Sequence, residues 1–216
     1  MAKVTHIAKH CGMHYQRTGI NMISLTNATV EYQEKTLSLP NISLHKGEIL
    51  GLNGVSGSGK STLAMLLAGF IKPKTGELNV PVYGKKTPNP VQWVGQHPEL
   101  AFNPKWHILK SLKESFQEHD VEPLLQQFEI DKQWLTRLPT ELSGGQLQRL
   151  ALLRALTPST QYLLCDEITA QLDSITQQTI WKQILILQEK RNLGLLVISH
   201  EKHLLNSICK KIVTIN

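Results

Sequence analysis

The stretch Gly54-Val55-Ser56-Gly57-Ser58-Gly59-Lys60-Ser61-Thr62 follows one apolar segment, 49–52, and opens onto another, 63–68. It fits the pattern G-x-x-x-x-G-K-[ST], which predicts a buried strand, a glycine-rich loop and a helix in that order. A triphosphate needs several donors converging on one small volume, and glycines let backbone N–H groups turn inward with no side chain in the way. Gly54, Gly57 and Gly59 supply that freedom, with Val55, Ser56 and Ser58 between them. A helix starting near Lys60 adds the partial positive charge of its N-terminus. Lys60 reaches the β- and γ-phosphates, and the Ser61 hydroxyl, beside Thr62, is placed to ligand Mg²⁺. The stretch reads as a cradle for nucleotide phosphates. An ordinary glycine-serine loop would need neither Lys-Ser after its last glycine nor a buried strand before its first.

Downstream, the predicted helix stops at Gly69, and Pro73, Gly76, Pro81, Gly84, Pro88 and Pro90 mark a turn-rich connection holding at most short strands. Gln96 follows the strand-like segment 91–94, where its amide could reach Mg²⁺ or an attacking water. From 98 to 139 the apolar spacing turns helical, through Ile108, Leu109, Leu112 and Phe116, then Val121, Leu124, Leu125 and Phe128, then Trp134, Leu135 and Leu138. This predicts a small helical subdomain inserted into a sheet, with Trp106 and Trp134 as packing residues. Ser143-Gly144-Gly145-Gln146 then leads into a helix stopped by Pro158. A serine and two glycines at a helix N-terminus form a second anion-binding geometry.

The segment 162–167, Tyr-Leu-Leu-Cys-Asp-Glu, is an apolar strand ending in two acids. In α/β sheets such strand ends face the ligand crevice, so Asp166 suits the Mg²⁺ shell and Glu167 suits a general base for water attacking the γ-phosphate. A helix beginning at Leu172-Asp173 leads to a last buried strand, 195–198, that ends at Ser199-His200. A histidine there can donate to a γ-phosphate oxygen and orient the base. An amphipathic piece, 203–209, and a strand, 212–215, close the chain.

Upstream, apolar and polar residues alternate from Ile23 through Leu25, Val30 and Tyr32, and again at Leu37, Leu39, Ile42 and Leu44, which predicts an antiparallel layer. Tyr32 could stack on a purine base, although on local grounds alone a half-buried strand tyrosine explains it better. Residues 1–21 show little periodicity and read as a flexible appendage, with His6, His10 and His14 near Cys11 as a conceivable metal face if the segment were helical. Met22 begins the strand-like pattern, so a start site there is conceivable.

At 216 residues, 41% hydrophobic and 19% charged, the chain fits one soluble globular domain with a subdomain. No apolar run approaches the ~18 residues of a membrane span. Cys11, Cys165 and Cys209 are too far apart for a disulfide framework or a C-x-x-C motif, which fits a reducing compartment. The net charge of +6 is scattered and does not choose between nucleic acid, phosphate ligand and anionic membrane.

In chain order stand GVSGSGKST, Gln96, LSGGQLQR at 142–149, YLLCDE at 162–167, AQLD at 170–173 and His200. Together they resemble the nucleotide-binding subunit of ATP-binding cassette (ABC) transporters, from about residue 22 to the end. The resemblance implies an α/β fold: a P-loop NTPase core with a mainly parallel sheet, an N-terminal antiparallel β layer and a helical subdomain at about 98–157. It implies that two cassettes face head to tail, each ATP held between Lys60 of one and Ser143 to Gln146 of the other. Tyr32 would stack on adenine. Ser61, Gln96 and Asp166 would meet Mg²⁺. Glu167, His200 and Gln96 would serve catalysis, and Gln96 would couple to the membrane subunit. The implied partners are a second cassette, usually a different chain with self-pairing left open, two membrane permeases and an extracellular or periplasmic binding protein, with no nucleic acid. The implied place is the cytoplasmic side of the cell membrane, as a peripheral subunit.

Gln96-His97-Pro98 followed by Phe102-Asn103-Pro104 is similar to importers of oligopeptides, dipeptides and nickel or metal chelates. Two departures stand out: the chain ends just after Ile215, short of the C-terminal extension common there, and Gln171 replaces the usual small residue of the D-loop. The expected function is an ATPase subunit powering an importer of peptides or metal chelates. The rivals are an exporter subunit, a soluble ABC protein acting on DNA or ribosomes, and a cassette that binds ATP only to regulate. No coiled-coil insertion, zinc motif or tandem cassette favours the soluble class, and Glu167 with His200 argues against the regulatory one.

Overall fold

Alternating side chains from Ile23 onward build β1 (Met22–Tyr32), which is long enough to pair with three neighbours. The computed structural model describes residues 21–32, 35–84 and 87–215; the histidines and Cys11 of the N-terminal segment lie outside them. Along β1, β2 (Lys35–Ser38) and β3 (Ile42–His45) pair antiparallel, β2 against Thr29–Tyr32 and β3 against Met22–Leu25. The phosphate-loop strand β4 (Ile49–Gly54) and helix α1 (Lys60–Leu67) follow, and then β5 (Thr75–Asn79) returns to the other edge of β1. There β1 bulges between Thr26 and Thr29. Gly76, at φ 91°, lets the two backbones meet, since a Cβ on it would lie 2.5 Å from the carbonyl oxygens of Thr26 and Asn27.

After β6 (Val91–Val94) come 3₁₀ turns at Pro98–Ala101, Lys132–Thr136 and Pro139–Glu141 and the helices α2 (Ile108–Phe116), α3 (Glu122–Gln127) and α4 (Gly144–Ala155). β7 (Tyr162–Asp166), α5 (Ser174–Arg191), β8 (Gly194–Ile198), α6 (Lys202–Ile208) and β9 (Lys211–Ile215) complete the chain. The second sheet has the order β6-β7-β8-β4-β9 with every pairing parallel.

Both faces of this sheet are covered. Leu163, Cys165, Leu195 and Val197 pack into one apolar cluster with α2, α3, α4 and α5. Tyr162, Leu164, Leu196 and Ile198 pack into a second with α1 and the antiparallel layer. The period of two thus sends alternate residues into two cores, which is why β7 and β8 read as continuous apolar runs. Full burial of side chains such as Leu50, Leu52 and Leu163 contributes about 1.5–3 kcal/mol each. Leu109, included in the apolar spacing of α2, is instead exposed. Its neighbours Ile108, Leu112 and Phe116 suffice to face the core at i, i+4 and i+8. Because the strands are parallel, the ends of β4, β6, β7 and β8 deliver Gly54, the approach to Gln96, Asp166 and the approach to His200 along one edge.

Candidate functional site

Gly57 and Gly59 take φ of 81° and 97°, left-handed values that turn the loop back over the start of α1. A Cβ on Gly57 would meet nothing within 4 Å, so the loop lies open above it, whereas one on Gly59 would press on Leu37 at 2.8 Å. Lys60 is buried, and its Nζ donates to the carbonyl oxygens of Gly54 and Val55 at 2.8 Å each. Two of its three protons hold the loop together, and the third suits a ligand oxygen. Ser58 Oγ is buried without a hydrogen-bond partner. An open cradle with a cationic floor and an orphan hydroxyl fits phosphate oxygens.

Lys60, Ser61, Thr62, Asp166, Glu167, Gln96 and His200 line one cleft of about 1360 Å³, together with Gly54, Ser56, Gly57 and Gly59. Of the other expected loop residues, Val55 points its side chain to solvent and Ser58 is buried. Asp166 ends β7 almost fully buried, and that burial pushes its carboxyl above the ordinary value, with Glu167 adding to the push. The Ser61 hydroxyl and the Lys60 ammonium pull the other way. A buried carboxylate beside a hydroxyl is a donor set that suits Mg²⁺, a hard cation taking oxygen ligands.

Glu167 sits at φ 51°, unusual for a residue with a side chain, and its N–H donates to the Ile198 carbonyl at 3.0 Å. This bond ties the end of β7 to β8. His200 follows β8, and its Nδ1 lies 3.6 Å from Glu167 Oε2, just beyond hydrogen-bond reach. A carboxylate held on a strained turn over a phosphate cradle has the placement of a base for water.

Ser143 caps α4: its Oγ accepts from the Gln146 N–H at 3.3 Å, and Gln146 Oε1 accepts from the Ser143 N–H at 3.0 Å. A Cβ on Gly144 would meet nothing within 4 Å, which leaves the helix terminus accessible to a ligand. Ser143, Gly144 and Gly145 do not line the Lys60 cleft. They line a hollow of about 330 Å³ that shares Gln96, Pro98 and Glu167 with it as walls. Tyr32 contributes its backbone to β1; its side chain lies outside the described residues.

The cleft has walls that sequence reasoning missed: Val30, Thr36 and Leu37 from the antiparallel layer, the exposed Phe70 just past α1, and Trp93 on β6. Most of these side chains are apolar and carry no phosphate chemistry, and only the packing of the layer against α1 brings Val30, Thr36 and Leu37 to the loop, where a Cβ on Gly59 would strike Leu37.

Residues 37–170 match the family model described as ABC transporter. The chain is 39% identical over 208 residues to the nickel import system ATP-binding protein NikE of Staphylococcus aureus strain N315, covering 90% of this chain and 86% of that one. Among solved structures it is similar to the dimeric MJ0796, a bacterial ABC transporter cassette, with TM-score 0.76, 23% identity, and coverage of 89% of this chain and 94% of that one. It is also similar to a chain of an ABC transporter of metal-chelate type in an inward-facing conformation, with TM-score 0.72, 25% identity, and coverage of 90% and 79%.

Proposed function

The chain belongs to the ABC transporter family, and from that membership we propose that it energises import of nickel or a nickel chelate across the cell membrane from its cytoplasmic face. It is an ATPase whose hydrolysis is coupled to transport. The observation that carries the assignment of residues is the gathering of Lys60, Ser61, Gln96, Asp166, Glu167 and His200 on one cleft. The loop N–H groups and Lys60 bind the phosphates of ATP. Ser61, Asp166 and Gln96 would hold Mg²⁺, which when bound supplies positive charge to neutralise the β- and γ-phosphates. Glu167 takes the proton of the attacking water, and His200 steadies the Glu167 carboxylate.

Ser143 to Gln146 serve the ATP of a second cassette. The hollow lined by Ser143, Gly144 and Gly145 is distinct from the Lys60 cleft, which supports a site completed by two chains facing head to tail. The second cassette is a different chain or a second copy of this one. Two permeases and a binding protein complete the importer.

The test is uptake of nickel by cells carrying the chain and its membrane subunits, compared with cells carrying Glu167→Gln. Loss of uptake in the variant and recovery of permeases with the purified chain are expected. Copurification with DNA or ribosomes and no permease would overturn the reading. The stretch Phe102-Asn103-Pro104 is similar to importers of short peptides as well as of metal chelates, which makes short peptides the second reading of the cargo; dipeptide uptake without nickel uptake would shift the cargo and leave the ATPase unchanged.

A further inference from the structure

Trp93 carries a buried polar atom that phosphate binding does not use. It lies on β6, in register with Leu164 of β7, two residues before Asp166. Its ring lines the cleft together with Lys60, Ser61 and Asp166. Two contacts set that placement. Phe70, just past α1, meets the ring edge to face, with centroids 5.6 Å apart and planes at 67°. Gly95 leaves the ring its room, because a Cβ there would lie 2.9 Å from Trp93 Cζ2.

The indole N–H is shut off from solvent and has no hydrogen-bond partner, which leaves a donor desolvated and uncompensated. The Asp166 carboxyl is close enough for this N–H to favour its ionised form, yet the two do not close a hydrogen bond of ordinary length and angle. Donor and carboxylate are neighbours on adjacent strands, at the same end of the sheet.

We propose that Trp93 is a positioning residue for Asp166: on binding of the metal–nucleotide complex its Nε1–H donates to one carboxylate oxygen and leaves the other for Mg²⁺ beside Ser61. This rests on the reading of Asp166 as a Mg²⁺ ligand. A carboxylate anchored at one oxygen by a charge-assisted hydrogen bond loses its freedom to rotate away from the cation, as metal ligands held by a hydrogen-bond donor behind them do elsewhere. The same bond satisfies the orphan indole donor.

The test has a spectroscopic and a binding arm. In the parent chain the Trp93 indole ¹⁵N–¹H signal is expected to move downfield on adding Mg²⁺ with a non-hydrolysable ATP analogue and to stay in place with the analogue and a chelator. A signal that stays in place with Mg²⁺ would overturn the proposal, and this arm needs no substitution at Trp93. In the binding arm Trp93→Phe keeps an aromatic ring against Phe70 and removes the N–H. It should need about tenfold more Mg²⁺ for half-saturation while binding ATP in chelator as the parent does. Equal weakening with and without Mg²⁺ would mark a packing role and overturn it. Asp166→Asn separates the two readings. If it leaves the Mg²⁺ requirement unchanged, the metal-ligand assignment falls; if it raises the requirement and Trp93→Phe does not, only the role of Trp93 falls.

Discussion

Lys60 fastens the phosphate loop by donating to Gly54 and Val55 while presenting its charge to the cleft. Lys60→Ala therefore removes a loop staple and a charge-assisted phosphate contact together, and tight ATP binding and hydrolysis should both be lost. Equilibrium binding of a fluorescent ATP analogue checks this; wild-type affinity would sink the cradle assignment. Asp166 carries its carboxyl at a cost in stability. Its folded-state carboxyl is raised by burial, so the folded chain holds a proton there more readily than the unfolded chain. That contribution to stability falls as pH rises from the ordinary carboxylate value through the raised one, and at neutral pH the ionised group is a net cost. Asp166→Asn should raise Tm at pH 7, with the gain shrinking as pH falls into the carboxylate range, while Mg²⁺-dependent hydrolysis disappears. Calorimetry at several pH values reads the effect, and a Tm equal to wild type at pH 7 would mean that Ser61 and Lys60 already offset burial.

At the scale of elements, the β1–β5 pairing contains one close backbone crossing. Gly76 holds φ 91° against the bulge, and a side chain there would strike two carbonyl oxygens. Gly76→Ala should destabilise the chain by more than about 1 kcal/mol through a left-handed alanine and that clash, with unchanged ATP affinity in the folded fraction. Urea unfolding with and without ATP separates the two quantities. A second element, α4, was legible because its signals are local: Ser143 and Gln146 stand at capping-box spacing and satisfy each other's backbone N–H. In α2 the apolar spacing included Leu109, which is exposed, because periodicity marks a face only to within a residue at its edge. Strand β5 lay in a stretch rich in proline and glycine, where no alternation announces a strand and only the free edge of β1 selects one.

At the scale of the whole molecule, the cleft at Lys60 and the hollow at Ser143 are separate, with Gln96, Pro98 and Glu167 as shared walls. If each ATP joins two chains, slowing hydrolysis should trap the pair. Glu167→Gln retains the size of the side chain and removes the accepting charge, a loss of general-base catalysis of about 10²- to 10⁴-fold. Size-exclusion chromatography with ATP should then move the chain from monomer to dimer, by itself or on adding its partner cassette. Ser143→Arg should block that shift by filling the space at the α4 terminus. A Glu167→Gln chain that hydrolyses ATP at the wild-type rate with its partner present would remove Glu167 from the role of base.

The sequence by itself determined the loop, the acid pair ending β7 and the cap of α4, because each is a short-range pattern whose chemistry depends on neighbours along the chain. It also determined that β7 and β8 are buried on both faces, since no polar residue interrupts them. Tertiary structure alone decided that Gln96, Asp166, Glu167 and His200 meet the loop in one cleft, because that meeting depends on the parallel order β6-β7-β8-β4 of strands distant in sequence. It alone brought Val30, Thr36, Leu37 and Trp93 to the cleft, and set Ser143 in the neighbouring hollow. Apolar side chains carry no local sign of which cavity they will face; that is fixed by how layers pack, an outcome of many long-range contacts at once.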